Sequence, residues 1–165
     1  MLDCAGQEKP PYIMIVDDDD DDVFLIMSAL KRIGWGAGAQ IDWERFDNGV
    51  DALAFLSRKD LLCELPAAVI LDINMPRLDG MGALRALRES LGLRELPVFV
   101  LTTTATDTVH CAAMSQGATG IFVKPNTMGE LTLIVRKILD SVHWAAPLPM
   151  PAVEGALEAS LGLKA

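Results

Sequence analysis

Apolar positions along the chain fall into two kinds of run that take turns. "YIMIV" (12–16), "AAVILD" (67–72) and "VFVLT" (98–102) are short and almost unbroken, the signature of strands buried on both faces. Between them the apolar residues recur at helical spacing. Val23, Ile26, Met27, Leu30 and Ile33 define one face of a first helix, which "GWGAG" (34–38) ends. "QIDWERF" (40–46) predicts a second strand, with apolar positions at Ile41, Trp43 and Phe46. Asn48 is a favourable N-cap for a helix over 49–59, with Val50, Leu53, Ala54 and Phe55 or Leu56 toward the core. "MGALRALRESLG" keeps helical spacing at Leu84, Leu87 and Leu91, and Gly117 closes a further helix over 107–116. "TGIFVKP" (119–125) reads as the last strand. Residues 128–144 read as the last helix, its core stripe being Leu131, Ile134, Val135, Ile138 and Val142.

Five strand–helix repeats predict an α/β fold with a parallel sheet, because each crossover helix returns the chain to the same sheet edge. Ligands of such sheets bind at the carboxyl ends of the strands. The residues expected there are Asp17 and Asp18 after the first strand, Asp72 after the third, Thr102 after the fourth and Lys124 after the fifth. Three carboxylates, a hydroxyl and an ammonium therefore converge on one edge.

Composition narrows the class. At 165 residues, 51% apolar and 22% charged, the chain suits one globular domain. Its net charge is −9, and six of its 23 acidic residues are the consecutive Asp17–Asp22. An acidic chain without a Lys/Arg cluster argues against nucleic acid or an anionic membrane surface as a ligand. Cys4, Cys63 and Cys111 are scattered and odd in number, which reads as reduced thiols. The start "MLDCAGQEKPP" lacks the basic and apolar regions of a signal peptide, and no apolar run reaches the length of a membrane span. A cytoplasmic protein is expected.

Carboxylates brought this close repel by about 4 kcal/mol per pair at an effective dielectric near 20. A bound cation relieves the repulsion, and oxygen ligands of this kind suit Mg²⁺. The ion would also neutralise an incoming phosphoryl group, while Lys124 and Thr102 hold its other oxygens. An ionised aspartate can attack phosphorus without a general base, giving an aspartyl phosphate.

"IVDDD", "LDINMPRLDG", "VLTT" and "FVKP", in this order after the first, third, fourth and fifth strands, resemble the response-regulator receiver domain of two-component signalling. The resemblance covers residues 11–144. It implies a doubly wound, flavodoxin-like five-stranded sheet of order 2-1-3-4-5, followed by a C-terminal extension over 145–165. It further implies Asp72 as phospho-acceptor and Mg²⁺ held by Asp18, Asp72 and the backbone carbonyl of Asn74, with Asp17 acting through water. Thr102 and Lys124 would contact the phosphoryl group, and the Lys124–Pro125 bond is usually cis in the family. Stand-alone receivers paired with phytochrome-type histidine kinases, which often dimerise, are similar in the acidic stretch and the "LTT" block. The expected role is a single-domain regulator, not a turnover enzyme, that receives phosphate from a sensor histidine kinase. It would pass the signal to a downstream effector or phosphotransfer protein by protein contact. Two positions depart from the pattern: Ile121 stands where an aromatic residue is common, and Thr103 is bulkier than the usual Ala or Gly.

Other readings of the same residues fare differently. Asp19–Asp22 are expected to be solvated residues that favour the positive end of a helix. An EF-hand fails on spacing, since Asp22 stands where glycine is needed and Ser28 where glutamate is needed. His110 and His143 lack partners at metal-ligand spacing. Phe24 and Leu25 lie off the core stripe and are expected to form a docking face for a kinase helix. Residues 145–165, with an apolar stripe at Val153, Leu157 and Leu161, are either a disordered tail or an arm packing on a dimer partner. The rival function is a Mg²⁺-dependent phosphohydrolase with an aspartate nucleophile, but its second carboxylate would fall on Asn74.

Overall fold

A computed structural model describes residues 12–33, 41–103 and 106–142. Strands and helices alternate without exception: β1 (Tyr12–Val16), α1 (Asp20–Ile33), β2 (Asp42–Phe46), α2 (Gly49–Leu61), β3 (Ala68–Leu71), α3 (Gly80–Glu89), β4 (Val98–Thr102), α4 (Asp107–Ser115), β5 (Gly120–Val123) and α5 (Met128–Ser141). The strands pair in parallel in the order β2-β1-β3-β4-β5, the expected doubly wound, flavodoxin-like arrangement. No helix among the described residues is long and apolar enough to cross a membrane.

Because successive strand residues point to opposite faces, the unbroken apolar runs feed two cores at once. Ile13, Ile15, Ala68, Ile70, Phe99 and Leu101 point to the side covered by α1 and α5. Met14, Val16, Val69, Leu71, Val98 and Val100 point to the side covered by α2, α3 and α4. The two departures from apolar alternation in the edge strands follow the same parity. Trp43 joins the first core and Phe46 the second; Phe122 joins the first and Ile121 the second.

Helix starts are fixed by side-chain caps. Asn48, Asp79, Thr106 and Thr127 each accept the backbone N–H three residues on. The core face of α2 differs from expectation: Gly49, Ala52 and Leu56 are buried, whereas Val50 and Ala54 are exposed. In the last helix Leu139 joins the expected stripe. The Lys124–Pro125 bond is trans, against the family expectation of cis; an X–Pro bond prefers trans by only about 0.5–1 kcal/mol. Trp144, His143, the 145–165 extension and the Gly-rich turn at 34–38 lie outside the described residues.

Candidate functional site

Strand register brings the site together. Val16 of β1 pairs with Leu71 of β3, so Asp17 and Asp72 leave adjacent strands at the same height. Their backbones are tied there: Asp72 N–H donates to the Val16 carbonyl and Asp17 N–H to that of Phe46, both at 2.9 Å. Thr102 ends β4 opposite Val123, and Lys124 N–H donates to the Thr102 carbonyl at 2.8 Å. The loop after β3 folds back over Asp72, closed by Gly80 N–H donating to Ile73 at 2.9 Å. Only glycine fits at position 80. A Cβ there would stand 2.8 Å from Ile73 Cα and closer still to the Asp72 carbonyl oxygen.

Carboxylate oxygens of Asp17, Asp18 and Asp72 lie within 4.8 Å of one another, with Asp17 and Asp72 buried and Asp18 exposed. Asp72 Oδ2 accepts the Asn74 N–H at 2.8 Å. Asp72 Oδ1 is buried and receives no directed hydrogen bond. Lys124 Nζ stands 3.2 Å from it, near enough for charge attraction, but its hydrogen bonds go elsewhere: to Asp17 Oδ2 at 2.8 Å and Asp22 Oδ2 at 2.7 Å. Thr102 is buried beside these groups at the end of β4, and Thr103 is exposed.

Burial is the main cause that pushes the Asp17 carboxyl above its ordinary range. The Lys124 hydrogen bond and the Asp19 N–H pull it down without overcoming that. For Lys124 burial alone would lower the ammonium's pKa. The hydrogen bonds to Asp17 and Asp22, with the charges of Asp17 and Asp72, reverse this and raise it. Lys124 is thus a firmly held cation among three carboxylates, Asp17, Asp22 and Asp72.

The aspartate run divides its labour. Asp19 Oδ1 accepts the N–H groups of Asp21 and Asp22 at 2.9 and 3.2 Å and so caps α1. Asp20 pairs with Arg45, and Asp21 is exposed in the first turn. Asp22 reaches the site, contrary to the expectation that Asp19–Asp22 are merely solvated. A signal for it exists in the helical period: Asp22 stands four residues before Ile26 and extends the buried stripe of α1 by one turn. His110 is exposed on α4.

A buried carboxylate oxygen without a directed hydrogen bond, inside a group of three carboxylates, suits a small divalent cation, whose ligands are oxygens. The fold and this edge define a parallel α/β protein with an acidic, cation-competent site at the carboxyl ends of its strands. The chain belongs to the response regulator receiver domain family, whose model matches residues 13–136. It is 33% identical over 143 residues to FilR2 of Methanothrix harundinacea (strain 6Ac), described as a probable methanogenesis regulatory protein; the match spans 86% of this chain and 88% of that one. Among solved structures it resembles RPA3017, a response regulator in red light signaling of R. palustris (27% identity, TM-score 0.69, 85% of this chain and 99% of that one). The fold is also that of the phosphorylated cyanobacterial phytochrome response regulator RcpA (24% identity, TM-score 0.71, 86% and 100% coverage).

Proposed function

We propose that the chain is a stand-alone response regulator whose receiver domain, over 11–144, takes a phosphoryl group from a sensor histidine kinase onto Asp72. The observation that carries this reading is the buried Asp72 Oδ1, which lacks a hydrogen bond yet sits beside Lys124 and the carboxylates of Asp17 and Asp18. In the transfer an Asp72 carboxylate oxygen forms the new P–O bond while the P–N bond of phosphohistidine breaks. The electron pair leaves with the imidazole, which takes up a proton. Asp17, Asp18, Asp72 and the backbone carbonyl of Asn74 would hold Mg²⁺, which when bound neutralises charge on the phosphoryl group. Lys124 and Thr102 contribute an ammonium and a hydroxyl to the same oxygens. The added charge of about −1.5 to −2 then draws these two groups in and biases the surface around β4, β5 and their helices.

Asn74 stands two residues after Asp72, where an aspartate-nucleophile hydrolase carries its acid–base carboxylate, which favours a stoichiometric phosphate over turnover. Acetyl phosphate with Mg²⁺ is expected to label the native chain once, with an acid-stable, base-labile phosphate. Chelation of the metal or Asp72→Asn is expected to abolish the label. Continuous release of phosphate from a phosphomonoester would instead establish a hydrolase.

The partner is a histidine kinase of the phytochrome type, a reading supported by the likeness to a red-light regulator. Phe24 and Leu25 on α1, both exposed, supply an apolar docking face beside the site. Output runs through protein contacts of the receiver in the cytoplasm, without nucleic acid or membrane. A homodimer completes the proposal, with residues 145–165 either an arm across the partner or a tail outside the contact. Deleting that segment halves the molar mass in solution if it is the arm, and an unchanged mass would remove the arm from the account.

A further inference from the structure

The Lys124 ammonium has three N–H donors. Its directed bonds go to Asp17 Oδ2 at 2.8 Å and Asp22 Oδ2 at 2.7 Å, while Asp72 Oδ1, at 3.2 Å, receives none. We propose that Asp22 is a positioning residue that draws the hydrogen bonds of Lys124 off Asp72 and so sets how strongly the acceptor site takes a phosphoryl group. This rests on the reading of Asp72 as phospho-acceptor and deepens it.

The geometry makes Asp22 the partner that yields. Two of the three donors are engaged, and those two bonds fix the direction of the third, which makes no directed bond to Asp72 Oδ1. To aim a donor at an oxygen newly attached at Asp72 the ammonium turns, and the turn loosens one of its present acceptors. The Asp17 side chain is 3% exposed and would be left charged and unpaired in the interior, whereas the Asp22 side chain is 32% exposed and can be taken over by water. Loosening the Lys124–Asp22 bond is therefore the smaller cost, and a turn of the ammonium toward Asp72 is made at the expense of Asp22. Asp20 and Asp21 do not share this role: Asp20 pairs with Arg45, and Asp21 is exposed one residue away, its backbone N–H donating to Asp19.

Asp21 supplies an internal control, because Asp21→Asn removes the same charge from the same helical turn without touching Lys124. Beryllium trifluoride, a non-covalent mimic of the aspartyl phosphate, would be titrated calorimetrically at saturating Mg²⁺. Asp22→Asn is expected to tighten its binding about five- to tenfold, the net worth of one ordinary hydrogen bond. Asp21→Asn should change it by about twofold or less, as an exposed charge does. The Asp22→Asn gain should collapse when Lys124 is also replaced by alanine. Equal effects of the two asparagine variants, weaker binding by Asp22→Asn, or a gain that persists without Lys124 would overturn the proposal. A second titration, with Mg²⁺ alone, needs no phosphoryl chemistry. Lys124 released from Asp22 should crowd Asp72, so Asp22→Asn should weaken Mg²⁺ more than Asp21→Asn does, and equal weakening counts against the latch. If the native chain binds Mg²⁺ but no beryllium trifluoride, the phospho-acceptor reading fails while the magnesium comparison still judges Asp22.

Discussion

Tyr12 opens β1 at the end of the strand away from the acidic site, and its hydroxyl donates to the Glu64 carbonyl at 3.0 Å. Burial, with Glu44 and Glu64 adding to it, pushes this phenol up to about 12. A phenol whose folded pKa is raised contributes stability that is whole below pH 10.0 and is lost as pH rises through about 12. Tyr12 is the chain's single tyrosine, so phenolate absorbance reads it alone. The folded protein should stay largely un-ionised near pH 11, where the urea-unfolded chain is mostly phenolate. A folded midpoint near 10 would contradict the burial. At this scale Asp17, Asp18, Asp72, Thr102 and Lys124 were legible because strand ends in a parallel sheet share one edge, so adjacency follows from topology alone. Asp22 was not, because a run of like charges looks uniform until helix phase is applied to it. Gly80 was also missed, since only the folded loop shows how close the Asp72 backbone comes.

Phase explains the element-scale differences too. Along α2 the stretch Ala52, Leu53, Ala54, Phe55 and Leu56 is apolar at every position, so hydrophobicity alone fits several rotations of the helix. Close approach chose among them. Gly49 faces α3 and the loop before it, where a Cβ would meet Ala83 and Leu78 at about 3 Å, and Gly49 and Ala52 turn inward while Val50 is left exposed. The first helix is apolar throughout Val23–Met27 as well, but Asp20 and Asp21 before it and Lys31 and Arg32 after it mark the solvent side, and its face was read correctly, with Ala29 added to the buried stripe. Its off-stripe residue Phe24 is 66% exposed. Phe24→Ala should slow phosphotransfer from a kinase severalfold yet leave labelling by acetyl phosphate unchanged, because only the first reaction needs a docked partner. Equal rates from the kinase would remove Phe24 from the interface. In the loop between β3 and α3, Gly80→Ala forces backbone apart at Asp72 itself and should cost about 1–3 kcal/mol, the range of an overpacked site. Urea denaturation measures that loss, and Mg²⁺ affinity should fall with it, since the displaced backbone carries Asp72.

Across the whole molecule, two apolar cores must hold an edge that electrostatics works to open. Asp17, Asp22 and Asp72 share one ammonium, Asp18 lies beside Asp17 and Asp72, and the chain carries a net charge of −9, so the metal-free protein bears repulsion that a divalent cation bound there would relieve. Binding to the folded state alone stabilises by about 2.7 kcal/mol at a hundredfold excess over Kd. For a domain of this size that corresponds to a Tm gain of roughly 5–10 °C. The gain should shrink as pH falls, and the sign follows from Asp17. Burial raises its folded pKa above 3.8, so in the metal-free chain the folded state holds the proton more tightly than the unfolded one does. That contribution is whole below 3.8 and is lost as pH rises through the folded value. Mg²⁺ needs the same carboxylate ionised, so proton and metal compete for it. Melting curves with Mg²⁺ and with chelator should lie far apart at neutral pH and converge toward pH 4. Asp72→Asn should remove most of the separation by weakening the site, while raising the melting point of the metal-free chain through relief of repulsion. A separation that does not vary with pH, or one untouched by Asp72→Asn, would place the cation away from this edge.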